Sequence, residues 1–384
     1  MNEWIRMKLS ECCSSIADGD HQPPPKAETG IPFVTISNMT STNQFDFSDT
    51  LFVPQEYYDK LDEKRKARKD DILYSVVGSF GIPVFMKEDK VFVFQRHIAI
   101  LRPDNEKIVP RFLFYTMLTK DFYARADAAA IGAAQRTVSL TALRNMEICI
   151  PDKIQQSKIV DTLAAYDDLI ENNQKQIKLL EETAQRLYKE WFVDLRFPGH
   201  ENTEILDGIP AGWRIEEVGK LIGKVPRTTQ IMTANYHKSG KIPIIDQSKT
   251  FIAGYTDDET ALVDLGEPVI VFGDHTRILK YIQFPFAKGA DGTQLIVSAN
   301  KNMPQSLLYC GLVNIDLSNY HYARHFKYLK AESLLVPIID IAKQFDEYAG
   351  DLFKRIQVLR DEISSATEAR DRLLPKLMSG EIEL

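Results

Sequence analysis

Residues 159–191 read IVDTLAAYDDLIENNQKQIKLLEETAQRLYKEW, and apolar or small side chains recur along them in alternating steps of four and three. The series consists of Ile159, Leu163, Tyr166, Ile170, Ile177, Leu180, Ala184, Leu187 and Trp191, with Asn173 as its polar member. An average step of about 3.5 residues is the a/d seam of a left-handed coiled coil, whereas a helix on a globular core repeats about every 3.6 residues. The segment therefore predicts a long helix that pairs with another helix.

A second segment, residues 345–377, repeats this pattern. Its seam positions are Phe345, Ala349, Leu352, Ile356, Leu359, Ile363, Ala366, Leu373 and Leu377, with Arg370 as the polar member. A constant shift of 186 residues carries every seam position of the first segment onto the second, and it also carries Pro151 onto Pro337. A repeat of this length indicates a duplicated unit.

The partner of each helix is a separate question, because long amphipathic helices often pair between chains. This chain contains its own partner helix, so the repeat favours an antiparallel coiled coil within one molecule. Asn173 would oppose apolar residues in many alternative alignments of the two helices. We therefore predict that Asn173 fixes the register of the spacer helices.

The composition is typical of a globular protein, with 44% hydrophobic and 26% charged residues. No stretch approaches the roughly 20 apolar residues of a membrane span, and the N-terminus lacks an apolar signal core, so a cytoplasmic protein is expected. The net charge is −7, but residues 151–195 carry 6 basic and 9 acidic residues, and residues 337–384 carry 7 and 10. Because the helical segments supply most of the negative charge, nucleic-acid binding by the near-neutral remainder stays open.

The segments outside the two helices repeat one order of predicted elements. In the first half, strands are predicted at 31–39, 70–78 and 90–103, and a helix at 110–130 with Pro110 in its first turn. In the second half, residues 212–223, 241–249, 267–278 and 329–337 parallel residues 3–13, 30–38, 71–82 and 143–151. The spacing drifts from 186 here, so loops of different length are expected on a shared scaffold.

These patterns predict an α+β protein with two similar globular domains, built on antiparallel or mixed sheets and separated by a long antiparallel two-helix coiled coil. The whole forms a pseudo-two-fold internal repeat. The predicted division is residues 1–151 for the first domain, 152–195 for the central spacer helix, 196–337 for the second domain and 338–384 for the C-terminal spacer helix.

Motifs of nucleotide binding and catalysis are missing from the sequence. It contains no GxxxxGK[ST] phosphate loop, no HExxH pair and no Asn-Pro-Pro-aromatic element of an amino-methyltransferase. His321 and His325 lack a third ligand at a recognisable spacing, so no metal site is predicted. Asp274 and His275 beside Thr276 remain an alternative enzymatic site, although nothing marks an activated nucleophile.

Several stretches occur in order and in duplicate along the chain. They are DGDHQPPP (18–25) with GIPFVTISNM (30–39), YSVVGSFGIPVF (74–85), RLYKEWFVDLRFPG (186–199), IPAGWRIEEVGKL (209–221) and ARDRLLPKLMSGEIEL (369–384). Taken together, this ordered set resembles the specificity subunit of type I restriction–modification systems over essentially the whole chain. The second half departs from the pattern, since VPRTTQIMTANYHKSG (225–240) replaces the DGDHQPPP loop.

The resemblance implies a DNA-recognition subunit without catalytic activity of its own. Each globular domain would read one half of a bipartite duplex DNA site, and the helices would set the spacing and dock two DNA methyltransferase subunits. Motor–nuclease subunits would join the full complex. S-adenosylmethionine, ATP and Mg would belong to these partners, so neither a cofactor nor a membrane partner is expected for this chain.

Candidate DNA contacts are polar and basic residues from loops at matching places, because base edges and phosphates require hydrogen-bond donors and acceptors. The first-domain candidates are His21, Gln22, Ser79, Phe80, Gln135, Arg136 and Thr137. The second-domain candidates are Asp274, His275, Thr276, Arg277, Lys280, Gln294, Tyr322, Arg324, His325 and Lys327. Core packing is the alternative interpretation for the ring of Phe80.

Two other functions remain open at this point. A protein-only adaptor could use the same coiled coil to hold two peptide-binding domains. An enzyme could have an unrecognised site in the second domain around Asp274 and His275. A DNA-recognition subunit differs from both in requiring duplex DNA binding that weakens steeply with salt.

Overall fold

The computed structural model describes residues 4–21, 24–40, 42–133, 135–320 and 324–384. It divides into two compact units. The first unit contains the described residues of Met1–Ile170 together with Ser365–Leu384, and the second unit is Glu171–Ser364. The four-segment division expected from the sequence stays a prediction.

Among the residues that the structure describes, nine strands and five short α-helices lie in the globular part of the first unit. The strands are β1 Ile5–Lys8, β2 Cys13–Asp18, β3 Ile31–Val34, β4 Leu51–Val53, β5 Ile72–Ser75, β6 Pro83–Phe85, β7 Val93–Phe94, β8 Ile98–Pro103 and β9 Glu147–Ile150 among the described residues. The helices are α1 Leu9–Cys12, α2 Gln55–Asp59, α3 Pro110–Leu118, α4 Lys120–Ala129 and α5 Leu140–Asn145. The first long helix is α6 Lys153–Tyr188, which continues into a π-helical turn at Lys189–Val193.

The described part of the first unit contains two sheets and a separate strand pair. One sheet is antiparallel with the order β2-β8-β5-β6, and the other is mixed with the order β4-β3-β7, in which β3 and β7 are parallel. Strands β1 and β9 pair antiparallel, with Lys8 opposite Glu147. Strand β5 is buried on both faces at Ile72, Leu73 and Tyr74, and its β-branched and aromatic side chains, Ile72 and Tyr74, favour the strand conformation.

The second unit repeats this architecture. Its strands are β10 Ile205–Leu206, β11 Ile209–Pro210, β12 Arg214–Glu217, β13 Ile242–Ile245, β14 Gly254–Thr256, β15 Leu262–Val263, β16 Val269–Gly273, β17 Leu279–Ile282, β18 Phe286–Lys288, β19 Thr293–Ile296 and β20 Ser333–Val336. Its short helices are α7 Val218–Leu221, α8 Gln305–Val313 and α9 His325–Ala331. The second long helix, α10 Ile339–Met378, begins in this unit and ends in the first. The order β17-β16-β19 matches β6-β5-β8, β14-β13-β18 matches β4-β3-β7, and β12-β20 matches β1-β9. The duplicated α+β fold is confirmed.

The helical seam also follows the predicted pattern within each unit. In the first unit, Ile159 and Leu163 of α6 share a buried core with Leu377 of α10, and Arg370 Nη1 donates to Asp167 Oδ1 at 2.9 Å. In the second unit, Ala184 of α6 packs into one core with Ala349 and other residues of α10. The two helices therefore pair antiparallel in both units.

Two predicted elements differ from the structure. The helix expected over 110–130 is broken at Thr119, whose hydroxyl accepts from Phe122 N and donates to Thr116 O, so one residue ends α3 and caps α4. The strand expected over 90–103 is two strands in different sheets, because Ile98 N bonds Gln95 O in a turn.

Among the described residues, no helix has the length and apolarity needed to span a bilayer.

Candidate nucleic-acid interface

The antiparallel sheet of the first unit has one end from which most of the candidate loops leave. Strands β2 and β5 end there and β8 begins there, since Asp18 pairs with Ala99 and Ser75 with Ile98. We call this the first loop end and define it by the loops that leave it, 18–21, 76–82 and 95–97, together with the described residues of the segment 131–138, which are 131–133 and 135–138. The segment 131–138 joins through the hydrogen bond from Gly78 N to Arg136 O, 2.9 Å long.

The first loop end brings together six of the predicted contacts, which are His21, Ser79, Phe80, Gln135, Arg136 and Thr137. Ser79, Gln135 and Arg136 are exposed, and Thr137 is half-buried in a bridge with Ile131. Arg136 hydrogen-bonds to the carboxylate and carbonyl of Asp127, which orients its guanidinium. These side chains carry hydrogen-bond donors, and phosphate oxygens and the acceptor atoms of base edges can accept hydrogen bonds from them.

Phe80 occupies a different environment from the one expected for a DNA contact. Its ring is 8% exposed and stacks on Tyr123 with a centroid separation of 5.8 Å, and the Arg136 guanidinium carbon lies 5.7 Å from its centroid. The expected DNA contact of Phe80 is therefore corrected: its ring packs in the core, and the Arg136 guanidinium lies against that ring.

His21 also lies at the first loop end. Its Nε2 atom is 2.9 Å from Asp18 Oδ2, and its side chain remains 56% exposed. Arg65 Nη1 reaches Asp20 Oδ1 at 3.3 Å and so adds a cation beside the same loop. Gln22 lies outside the described residues.

Sequence reasoning missed Arg96 and His97, which form part of the turn between β7 and β8. Arg96 is exposed, and the ring of His97 holds Nδ1 2.7 Å from Gln95 Nε2. Burial, together with the neighbouring Arg96, lowers the pKa of His97. The polar triplet Gln95-Arg96-His97 within an apolar run was the signal for a turn. The whole run, residues 90–103, was instead interpreted as one strand.

The second unit has a matching loop end, where β16 ends and β19 begins with Gly273 opposite Thr293. The second loop end comprises the loops 246–253, 274–278 and 289–292 and the N-terminus of α9. His275, Thr276, Arg277, Arg324 and Lys327 are exposed there or on α9, and Gln294 is half-buried on β19. Tyr322 lies outside the described residues.

Asp274 and His325 have structural contacts that the sequence did not reveal. Asp274 is 4% exposed, its Oδ1 atom accepts from Phe326 N at 2.7 Å, and its carbonyl accepts from His325 N at 2.9 Å. The ring of His325 is buried with Nδ1 2.8 Å from Asp274 O and Nε2 2.9 Å from Tyr320 O. Both expectations are corrected, because Asp274 caps α9 and His325 anchors it.

The same contacts bear on the alternative enzymatic site. The Asp274 carboxylate bonds to α9, whereas the backbone N–H of His275 donates to Gln247 Oε1 at 3.1 Å. This arrangement does not have the base–orienter geometry of a nucleophilic site. Among the described residues, no group of three or more His, Cys, Asp or Glu could hold a metal ion.

Lys280 is the third corrected expectation in the second unit. Its side chain is 4% exposed, and its ammonium donates to Asp246 O at 2.8 Å and to Thr250 O at 2.6 Å. Burial lowers the pKa of Lys280 to about 8, against the attraction of Asp246. The residue therefore holds the 246–253 loop instead of facing DNA.

Arg277 is an exposed cation at the second loop end. It has a left-handed backbone with φ of 62°, and its Nη1 atom donates to Leu317 O at 3.0 Å. Thr276 Oγ1 donates to Gln247 O at 2.7 Å. In both units, exposed donors thus lie at the same end of an equivalent sheet, the arrangement expected of a protein that binds a two-part ligand.

Comparisons with known proteins agree with this class. The family model described as the type I restriction modification DNA specificity domain matches residues 1–182. The type I restriction enzyme MjaIX specificity subunit of Methanocaldococcus jannaschii is 27% identical over 73% of this chain and 71% of its own length. The putative MjaX specificity subunit of the same organism is 21% identical over 100% of this chain and 94% of its own length.

A solved structure shares the fold. The type I restriction–modification S subunit from M. genitalium superposes with a TM-score of 0.60 at 18% identity, over 98% of this chain and 96% of that one. The chain is therefore similar to type I restriction–modification specificity subunits, by the family model over its first 182 residues and by these relatives over most of its length.

Proposed function

We propose that this chain is the DNA sequence-recognition subunit of a type I restriction–modification complex, and that each unit reads one half of a bipartite duplex site. The observation that carries the proposal is the placement of exposed donors at equivalent sheet ends in two duplicated units. Arg136 represents the first loop end and Arg277 the second. The similarity to type I restriction–modification specificity subunits supports the same function.

The helices have a separate role in this proposal. Both α6 and α10 contribute residues to each unit, so they are suited to setting the spacing between the half-sites. The same helices, with adjacent faces of the globular parts, dock two DNA methyltransferase subunits. Motor–nuclease subunits join the larger complex.

The chemistry of the complex is assigned to its partners. This chain is non-catalytic, and S-adenosylmethionine, ATP and Mg are bound by the methyltransferase and motor–nuclease subunits. The complex works in the cytoplasm. The contacts of Asp274 with α9 argue against a hydrolytic pair with His275, and the comparisons do not favour a protein-only adaptor.

The test is to map methylated positions in DNA exposed to this chain with its methyltransferase subunits. The expected result is one bipartite sequence with a fixed gap, protected from nuclease by the same complex. Binding should weaken steeply with added salt, because neutralised phosphates release counterions. Methylation without a two-part sequence, or binding insensitive to salt, would overturn the proposal.

A further inference from the structure

Gln247 lies at the centre of the second loop end, and it was not among the expected contacts. Its Oε1 atom accepts from His275 N at 3.1 Å, and its Nε2 atom donates to Asp291 O at 2.8 Å. Its carbonyl accepts from Thr276 Oγ1 at 2.7 Å. One residue therefore bonds to the 274–278 loop and to the 289–292 loop from its own loop, 246–253.

The backbone around Gln247 is shaped for this close approach. A Cβ atom at Gly292, where φ is +82°, would lie 2.7 Å from Gln247 Nε2. A Cβ atom at Gly273 would lie 2.8 Å from the Cβ of Gln247. Both distances are too short for real Cβ atoms, so glycine at these two positions makes room for the Gln247 side chain.

The loop that carries Gln247 is itself held on both sides. The Asp246 carboxylate accepts from Ser248 N at 2.9 Å and from Ser248 Oγ at 2.6 Å, which closes a turn around Gln247. The buried ammonium of Lys280 binds the carbonyls of Asp246 and Thr250. The backbone on both sides of Gln247 is therefore fixed, and its amide is held by the bonds to His275 N and Asp291 O.

The first unit does not have this arrangement. Val34 pairs with Phe94 as Ile245 pairs with Lys288, so Ile36 is the counterpart of Gln247. Ile36 packs against the apolar cluster beneath the first loop end. The contacts made by Gln247 are consequently a property of the second unit.

We propose that Gln247 is the positioning residue of the second half-site: it ties three loops into one prearranged surface that carries His275, Thr276 and Arg277. This inference rests on the proposed function. Prearranged donors lose less conformational entropy on binding, and they reject incorrect bases because their geometry cannot adapt. Gln247 acts through the loops, and the DNA contacts belong to the residues that they carry.

The test uses Gln247→Met, which keeps the side-chain length and removes both amide hydrogen bonds. Binding of the complex with its methyltransferase is measured on duplexes whose first half-site is constant and whose second half-site is correct or altered. We expect discrimination at the second half-site to fall about tenfold, while discrimination at the first half-site is unchanged.

Gln305→Met is the matched control. Its Oε1 atom accepts from Ser298 N at 2.9 Å and its Nε2 atom donates to Ile296 O at 2.9 Å, so it loses two backbone contacts at the opposite end of β19. It should lower stability without changing half-site discrimination. Hydrogen exchange without DNA should show faster exchange at His275 N in Gln247→Met only.

The outcomes separate the two proposals. A native complex that reads no bipartite site defeats the proposed function, and this inference falls with it. A native complex that reads the site, with Gln247→Met showing full discrimination or Gln305→Met showing the same loss, defeats this inference alone. Unchanged exchange at His275 N in Gln247→Met also contradicts it.

Discussion

Arg277 and Lys280 lie close together in one hairpin and have opposite environments. The Arg277 side chain is exposed and bonds only one carbonyl at 3.0 Å among the described contacts, whereas Lys280 is buried against several carbonyls. Both were expected to contact DNA because both are cations in a loop region. At the residue scale, charge identifies a candidate, and the burial of the side chain decides whether it can reach a ligand.

The buried ammonium of Lys280 leads to a prediction about how the stability of the folded chain depends on pH. The pKa of Lys280 is lowered from its ordinary value of 10.5 to about 8 by burial, so between these values the unfolded chain binds more protons than the folded chain. Stability contributed by Lys280 should therefore rise with pH from about 8 to 10.5 and stay flat below 8. Relative to Lys280→Met, we expect the native chain to gain about 1–3 kcal/mol across this window.

Chemical denaturation of both proteins at several pH values measures the difference. The exposed Lys301 provides the control, since Lys301→Met should follow the native chain at every pH. A difference between the native chain and Lys280→Met that is constant from pH 7 to 10.5 would contradict the lowered pKa.

The helices are the elements that the sequence predicted best. Apolar steps of three and four depend on the local geometry of one helix, and the 186-residue repeat locates the partner helix without knowledge of the loops. The seam position of Asn173 is 2% exposed, and its Nδ2 atom donates to Glu362 Oε2 at 2.8 Å. The shorter elements were predicted less well, as at Thr119, because one cap hydrogen bond divides a helix whose periodicity is continuous.

Asn173→Leu tests the predicted register function. Leucine should raise the unfolding free energy by about 1 kcal/mol, since apolar burial outweighs one hydrogen bond, but the helices should then sample more than one register. Spin labels at the exposed residues Lys178 and Lys354, both in the second unit, would report a broadened distance distribution.

The neighbouring residue Asn172 supplies the matched control, because it is exposed on the same helix. Asn172→Leu should leave both the stability and the distance distribution unchanged. If Asn173→Leu lowers stability or keeps a narrow distribution, Asn173 does not fix the register.

At the scale of the whole molecule, duplication has preserved the sheets and altered the loops. Three strands of each sheet keep the same order in both units, although β2 extends one sheet in the first unit and β15 extends the other sheet in the second. The links at the two loop ends differ: Gly78 to Arg136 in the first and Gln247 to Asp291 in the second. Each unit also has its own buried cores. Changes at one loop end should therefore have little effect on the other.

This independence can be measured with Arg136→Ala and Arg277→Ala. Each should weaken binding of the complex by about 10- to 100-fold, the effect of losing one good base or phosphate contact. Arg136→Ala should abolish sensitivity to changes in the first half-site only, and Arg277→Ala in the second only. The double variant should show the sum of the two free-energy losses.

DNA altered in one half-site is the control for each variant. A variant that loses sensitivity to both half-sites, or losses that are far from additive, would show that the loop ends do not act separately.

The sequence by itself determined the long helices, the internal repeat, the α+β class and the family resemblance, since these depend on periodicity and on order along the chain. Tertiary structure alone decided which candidates are accessible. The burial of Phe80, Asp274, Lys280 and His325 results from contacts with segments distant in sequence, such as Tyr123 with Phe80 and Asp246 with Lys280. Gln247 became visible for the same reason, because its amide joins loops that only the folded sheets bring within hydrogen-bond distance.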